Sequence, residues 1–128
     1  MKTITLLLVL AFCLASISCN NHTAEVTAFA NERSEVNAKM CQTIEANPTE
    51  AGIDEARKIF DARKTDLKAK WVAIQKANLD LNAKKPILDA QIFDSELWLK
   101  VYDKNAMKLY PIQEKFWALK ADFDATFK

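Results

Sequence analysis

One glycine, one histidine and three prolines are all that this 128-residue chain holds of those residues, and each shortage removes a class of chemistry. A single glycine, Gly52, cannot build the glycine-rich loop that cradles phosphate groups. A lone histidine, His22, cannot supply the paired Glu-x-x-His motifs of a di-iron bundle, and the haem-attachment pattern Cys-x-x-Cys-His is missing. His22 also lacks a second histidine or a nearby carboxylate cluster, so no metal site is expected there. A cysteine nucleophile needs a histidine base, yet Cys41 falls within a long apolar-periodic stretch well separated from His22. No one sign of charge dominates either: 18 basic residues against 17 acidic give a net charge of +1, no electrostatic footprint for nucleic acid. The sequence therefore reads as non-enzymatic, with no cofactor.

Few turn formers, together with abundant Ala, Lys, Leu, Asp and Glu, predict helices joined by short connections. The longest apolar run lies at the start, from Ile4 to Ala15 behind Lys2 with only Thr5 within it, followed by small residues up to Cys19. A charged start, a short apolar core and a small-residue exit form the layout of a secretory signal, and the run is too short to span a bilayer comfortably. The exit Ala15-Ser16-Ile17-Ser18-Cys19 resembles the lipobox of bacterial lipoproteins, with Ser16 where that class most often has Leu. The resemblance implies that residues 1–18 are a signal peptide, that Cys19 becomes a lipidated N-terminus, and that the acyl chains fix the protein to a membrane of the cell envelope. Asn20 is not the aspartate associated with inner-membrane retention in some enteric bacteria, which allows an outer-membrane destination. The alternative is an unlipidated secreted protein, in which Cys19 and Cys41 could form a disulfide.

Residues 19–23 then make a polar tether, and residues 24–128 a single domain. Val26, Phe29, Val36, Met40 and Ile44 fall on one narrow fan of a first helix. Arg33 interrupts that fan, and its stem is expected to lie along apolar surface with its head in water. Cys41 sits at the fan's edge as a half-buried structural thiol. Asn47-Pro48-Thr49-Glu50 marks a helix start, with Asn47 as the expected N-cap and Gly52 able to delay it. Ile53, Phe60, Leu67, Ile74 and Leu81 then recur seven apart, predicting a long second helix of about 45 Å at 1.5 Å per residue. The second seam of a coiled coil is absent, so this helix belongs inside a bundle, and Asn78 either meets a polar partner across the core or ends the helix early.

Pro86 predicts the next break and the start of a third helix running to about Lys104. Its apolar residues surround the axis: Leu88, Ile92, Leu99 and Tyr102 on one side, Phe93, Leu97 and Val101 on another. Such a helix is central in a bundle or has a second face covered by something else. A fourth helix is expected from about Pro111, with Ile112, Phe116, Leu119, Phe123 and Phe127 facing the core and Tyr110 and Trp117 on a flank.

The fold expected is thus all-α: an up-and-down helical bundle, four helices with a long second one. Its apolar excess exceeds what a small bundle needs to bury. Phe93, Leu97, Tyr110 and Trp117 are therefore the candidate partner-binding residues of a non-catalytic envelope module that docks a protein. Two alternatives are an apolar small-molecule or lipid binder with an aromatic-lined cavity, and a secreted helical effector or inhibitor. The lipobox reading has a direct test: in the native host the chain incorporates labelled palmitate and a Cys19→Ser variant does not, whereas an unlabelled wild type would remove the lipid anchor.

Overall fold

The structure, a computed structural model, describes residues 21–128. Residues 1–18, read above as a signal peptide, and Cys19 lie outside the described residues. Four helical arms follow in order: α1 (Asn21–Ala46), α2 (Glu50–Lys76), α3 (Leu81–Lys104), and a fourth made of the short α4 (Ala106–Leu109), a 3-10 turn (Tyr110–Ile112) and α5 (Gln113–Ala125). No strand occurs among the described residues. Asn21, His22 and Thr23, expected as spacer, already belong to the first turn of α1.

Directions alternate along the chain. Phe29 of α1 stacks on Trp71 of α2, and Glu32 pairs with Lys70 at 2.7 Å, so α1 and α2 are antiparallel. Ser34 meets Asp94 and Glu45 meets Lys104, so α1 and α3 run the same way. Glu50 meets Lys115 and Arg57 meets Asp122, which sets α5 alongside α2 in the same direction. The bundle is up-and-down, with α1 packed closely against both α2 and α3. The central position thus falls to α1 and not to α3, whose apolar girth had suggested it.

The core is continuous. Val26, Phe29, Met40 and Ile44 of α1 meet Ile53, Phe60, Leu67 and Ile74 of α2, and Phe116, Leu119 and Phe123 of α5 close over them. Edge-to-face ring contacts join Phe60 to Phe123 and Phe123 to Phe127, while Trp98 of α3 meets Phe116. Such pairs add about 0.5–1.5 kcal/mol each beyond the area they bury. Apart from Arg33 with Asp94, the ion pairs between helices are exposed or part-exposed and contribute little by comparison.

Element ends differ from the sequence expectation for identifiable reasons. Thr49, not Asn47, is the N-cap of α2: its backbone is extended and its hydroxyl accepts from Gly52 N. Asn47 instead accepts the Thr49 hydroxyl hydrogen on its side chain at 2.9 Å. The seven-residue stripe of α2 holds through Ile74 and then fails, because Asn78 takes a left-handed backbone with φ of 50°, a conformation Asn tolerates better than most residues. Leu81 consequently leaves the stripe and opens α3. Asp80 caps that helix by accepting from Ala83 N at 2.8 Å, and Pro86 sits inside it, where its missing N–H costs one bond near the exposed start. Pro111 acts more strongly on the fourth arm, which passes through the 3-10 turn before α5 begins.

The single glycine is where the α1–α2 corner is tightest. A Cβ added at Gly52 would lie 1.7 Å from the backbone oxygen of Asn47. Neither atom can rotate away, so the cap must open. Gly52→Ala is expected to destabilise the protein by about 1–3 kcal/mol, the usual range for an overpacked site, read as a lower urea midpoint. An unchanged midpoint would show that the corner relaxes freely.

Candidate functional site

Helix α3 carries the feature that most needs explaining. Its inward face is Ile87, Ala90, Asp94, Trp98 and Val101, all buried. Leu81, Leu88, Ile92 and Leu99 lie on the opposite side, and on a helical wheel their row is centred about 140° from the buried face. All four are exposed, from 41% for Leu88 to 76% for Leu81. Three large aliphatic side chains within the helix body, plus one at its start, thus form a line of apolar surface facing solvent. Lys85, Asp89, Glu96 and Asp103 border it on one side, with Lys85 paired to Asp89.

The four residues singled out from sequence divide into two pairs. Phe93 is exposed and Leu97 half-buried against the core, both on one flank of α3. Trp117 of α5 is half-buried on the other flank, its ring 5.2 Å from that of Tyr102 and 4.7 Å from that of Phe116. Tyr110 is exposed in the 3-10 turn. The structure therefore brings Trp117 into the aromatic cluster of the fourth arm and leaves Phe93 exposed beyond the charged border of the row. Choosing Phe93 and Leu97 from the third helix's two fans passed over Leu88, Ile92 and Leu99 of the other fan, which are all exposed.

What turns α3 this way is a buried polar network that the sequence reading did not assemble. Arg33 is 2% exposed and Asp94 3%, with Nε and Oδ2 separated by 3.4 Å. This corrects the expectation of an Arg33 head in water. The contact lacks hydrogen-bond geometry, leaving Arg33 Nε and Nη1 and Asp94 Oδ2 without hydrogen bonds. Other groups compensate in part. Ser34 Oγ donates to Asp94 Oδ1 at 2.9 Å, and the Arg33 guanidinium lies 4.8 Å from the Phe127 ring centre and 5.4 Å from that of Phe123. Trp98 Nε1 donates to Asn37 Oδ1 at 2.6 Å, and Asn37 Nδ2 donates to the backbone oxygen of Asp94. The signal available in the sequence was Arg33 and Asn37, four apart on an otherwise apolar fan, and Asp94 within an apolar turn of α3.

Burial dominates the electrostatics of this network. Desolvation pushes the Asp94 carboxyl above its ordinary range, against the Ser34 hydrogen bond and the Arg33 charge. The same cause lowers Arg33, against the pull of Asp94 and Asp124. Each member is held less firmly in its charged form than in water, so attraction does not fully offset lost hydration. Cys41 is fully buried and not half-buried, and its thiol is pushed up to about 12 by burial, then by Asp94 and Glu45. A thiol in that state is a poor nucleophile. Among the described residues no three His, Cys, Asp or Glu side chains stand close enough to share a metal ion.

The recesses are clefts between helices. One of about 310 Å³ is floored by Phe29 and Ile74 and rimmed by Glu25, Glu32 and Lys70. A second, of about 450 Å³, is lined by Lys64, Thr65, Lys68, Asp122, Ala125 and Thr126, without an aromatic wall. Neither gathers the late aromatic residues, which, apart from the exposed Phe93 and Tyr110, are spent on the core and on the Tyr102, Phe116 and Trp117 cluster.

The network's energetics are testable by comparing single and double replacement. Asp94→Ala leaves a buried guanidinium unpaired and is expected to cost about 3–5 kcal/mol, whereas Arg33→Met with Asp94→Leu should recover most of that loss. Urea melts of the three proteins check it, and a double variant as unstable as the single one would refute the account. In comparisons with known proteins, no protein family, no curated protein and no solved structure matches this chain.

Proposed function

We propose that this protein is a non-catalytic interaction module of the cell envelope, held to a membrane through lipid on Cys19 and docking a protein partner on the outer face of α3. The observation that carries the reading is the row Leu81, Leu88, Ile92 and Leu99, exposed on a bundle whose core is otherwise complete. Fully burying a side chain of this type is worth roughly 1.5–3 kcal/mol, so a partner covering the row gains substantially even though each residue is already partly covered. Residues of this kind, rimmed by charge, match the composition of a docking patch better than that of an ordinary solvated face.

Further support comes from what the interior contains. Its one buried thiol is held protonated, and its buried carboxylate faces an arginine within a packed helix interface. Neither group is placed to meet a substrate. No described helix is long and apolar enough to cross a membrane, so membrane attachment in this reading rests on the lipid at Cys19. The leader that motivates that lipid is the sequence Ala15-Ser16-Ile17-Ser18-Cys19.

A photo-reactive amino acid placed at Ile92 of the full-length protein in native membranes tests the docking face. It is expected to give a discrete protein adduct, whereas the same probe at Lys58, on the exposed face of α2, gives none. Equal background from both positions would remove the docking surface.

A further inference from the structure

The exposed row on α3 is complementary to itself, and we propose that a second copy of this chain covers it, the two α3 helices packing antiparallel about a two-fold axis that crosses the row at the level of Ala90, whose own side faces the core. This inference rests on the reading of the row as a docking surface and names its occupant. Leu81, Leu88, Ile92 and Leu99 follow one another at steps of seven, four and seven residues, the spacing of a heptad seam. In an antiparallel pair, residues equidistant from Ala90 meet. Leu81 then packs on the partner's Leu99, and Leu88 on the partner's Ile92, so every large apolar residue of the row finds another. The remaining seam positions, Lys85 and Ser95, also oppose each other, which gives the lysine stem a small neighbour and an exit to water.

Charge supports the same arrangement. The two-fold axis brings like flanks together, so Glu96 on the acidic side of the row approaches the partner's Lys85. Among the described residues Glu96 makes no ion pair. Asp89 approaches its own copy near the axis, but each Asp89 is paired with the Lys85 of its own helix. A parallel, in-register pair fits worse: it sets Lys85 on Lys85 and Ser95 on Ser95 inside the seam, and leaves Glu96 without a basic residue opposite. A patch that is its own complement under a two-fold operation is the defining property of a closed symmetric dimer, which buries the row without leaving a second apolar surface to propagate.

The seam spans about 27 Å at 1.5 Å per residue, short for a strong dimer in dilute solution. Tethering both copies to one membrane raises their effective concentration and favours the pairing without further contacts. Because α1 and α3 run the same way, the two α1 helices begin at opposite ends of the pair. Both tethers reach one membrane when the helices lie along its surface.

Cross-linking in native membranes tests both the occupant and the direction. Two differently tagged full-length copies carry Leu81→Cys and Leu99→Cys, and a short bis-maleimide joins cysteines close in space. Both positions are exposed in the single chain, and Cys41 is buried and unreactive. Co-expression of the two variants should give a mixed-tag adduct of doubled mass. Neither variant alone should give it, since identical positions lie about 27 Å apart across the axis. Ile92→Glu in both copies should abolish the adduct. Adducts within a single variant would show parallel packing and overturn the proposal, as would no adduct in any combination. In that last case a heterologous adduct from the photo-probe at Ile92 leaves the docking face standing with another occupant, and its absence removes both.

Discussion

The contact between Arg33 and Asp94 decides how the third helix is turned, and the rest of the surface follows from it. Helix α3 has apolar residues on nearly every side, so hydrophobic burial alone offers two faces to the bundle. One face carries Ile87, Trp98 and Val101; the other carries Leu88, Ile92 and Leu99. Their burial is similar in kind, each side chain being worth roughly 1.5–3 kcal/mol. The polar groups break the tie. Turning α3 outward would separate Asp94 from Arg33, and a buried charge left unpaired costs about 3–5 kcal/mol. It would also part Trp98 Nε1 from Asn37 Oδ1. The leucine row is outside because the network is inside.

The same contact explains which parts of the structure were legible in the sequence. Faces set by burial alone were readable from spacing: Val26, Phe29, Val36, Met40 and Ile44 of α1 are all buried, as are Phe116, Leu119 and Phe123 of α5. The stripe of α2 was readable as far as Ile74, where a local event, the left-handed Asn78, ends the helix before periodicity does. Boundaries fixed by side-chain caps were read a few residues off, because Asn47 and Thr49 can each cap and geometry chooses between them. Pro86 appeared to be a boundary but sits within α3, close enough to its start that the lost hydrogen bond falls where the helix is exposed. For α3 itself spacing could not choose a face. The choice depends on Asp94 meeting Arg33 sixty-one positions earlier, a contact that exists only after α1 and α3 run side by side. The candidate site was therefore half legible: an apolar excess on α3 could be seen, but not which part of it would face water.

The fourth arm shows the opposite case, where local chemistry and packing agree. Pro111 interrupts the helix at Tyr110–Ile112, and the interruption lets Tyr102 of α3 reach across to Gln113, its hydroxyl donating to Oε1 at 3.0 Å. Tyr102, Phe116 and Trp117 then pack into one cluster that closes this side of the bundle. The cluster satisfies aromatic residues that otherwise look like ligand-binding surface in a linear reading. Removing them from the list of unexplained apolar residues is what isolates the α3 row.

A buried pair that is imperfectly hydrogen-bonded is an expensive way to hold two helices together, since apolar residues of similar size would hold them at least as well. Its value lies in what it forbids. With apolar residues at positions 33 and 94, only the hydrogen bonds of Asn37 would still favour the inward face, and the bundle would be freer to sample a second rotation of that helix. In that rotation Leu88, Ile92 and Leu99 would vanish into the core and no apolar row would remain at the surface. The pair lowers stability relative to an apolar contact and in return fixes a single orientation, the one that keeps an apolar row at the surface. A chain selected only for a stable monomer has no reason to retain such a pair. One that must present that row to another α3 helix requires the orientation more than the stability.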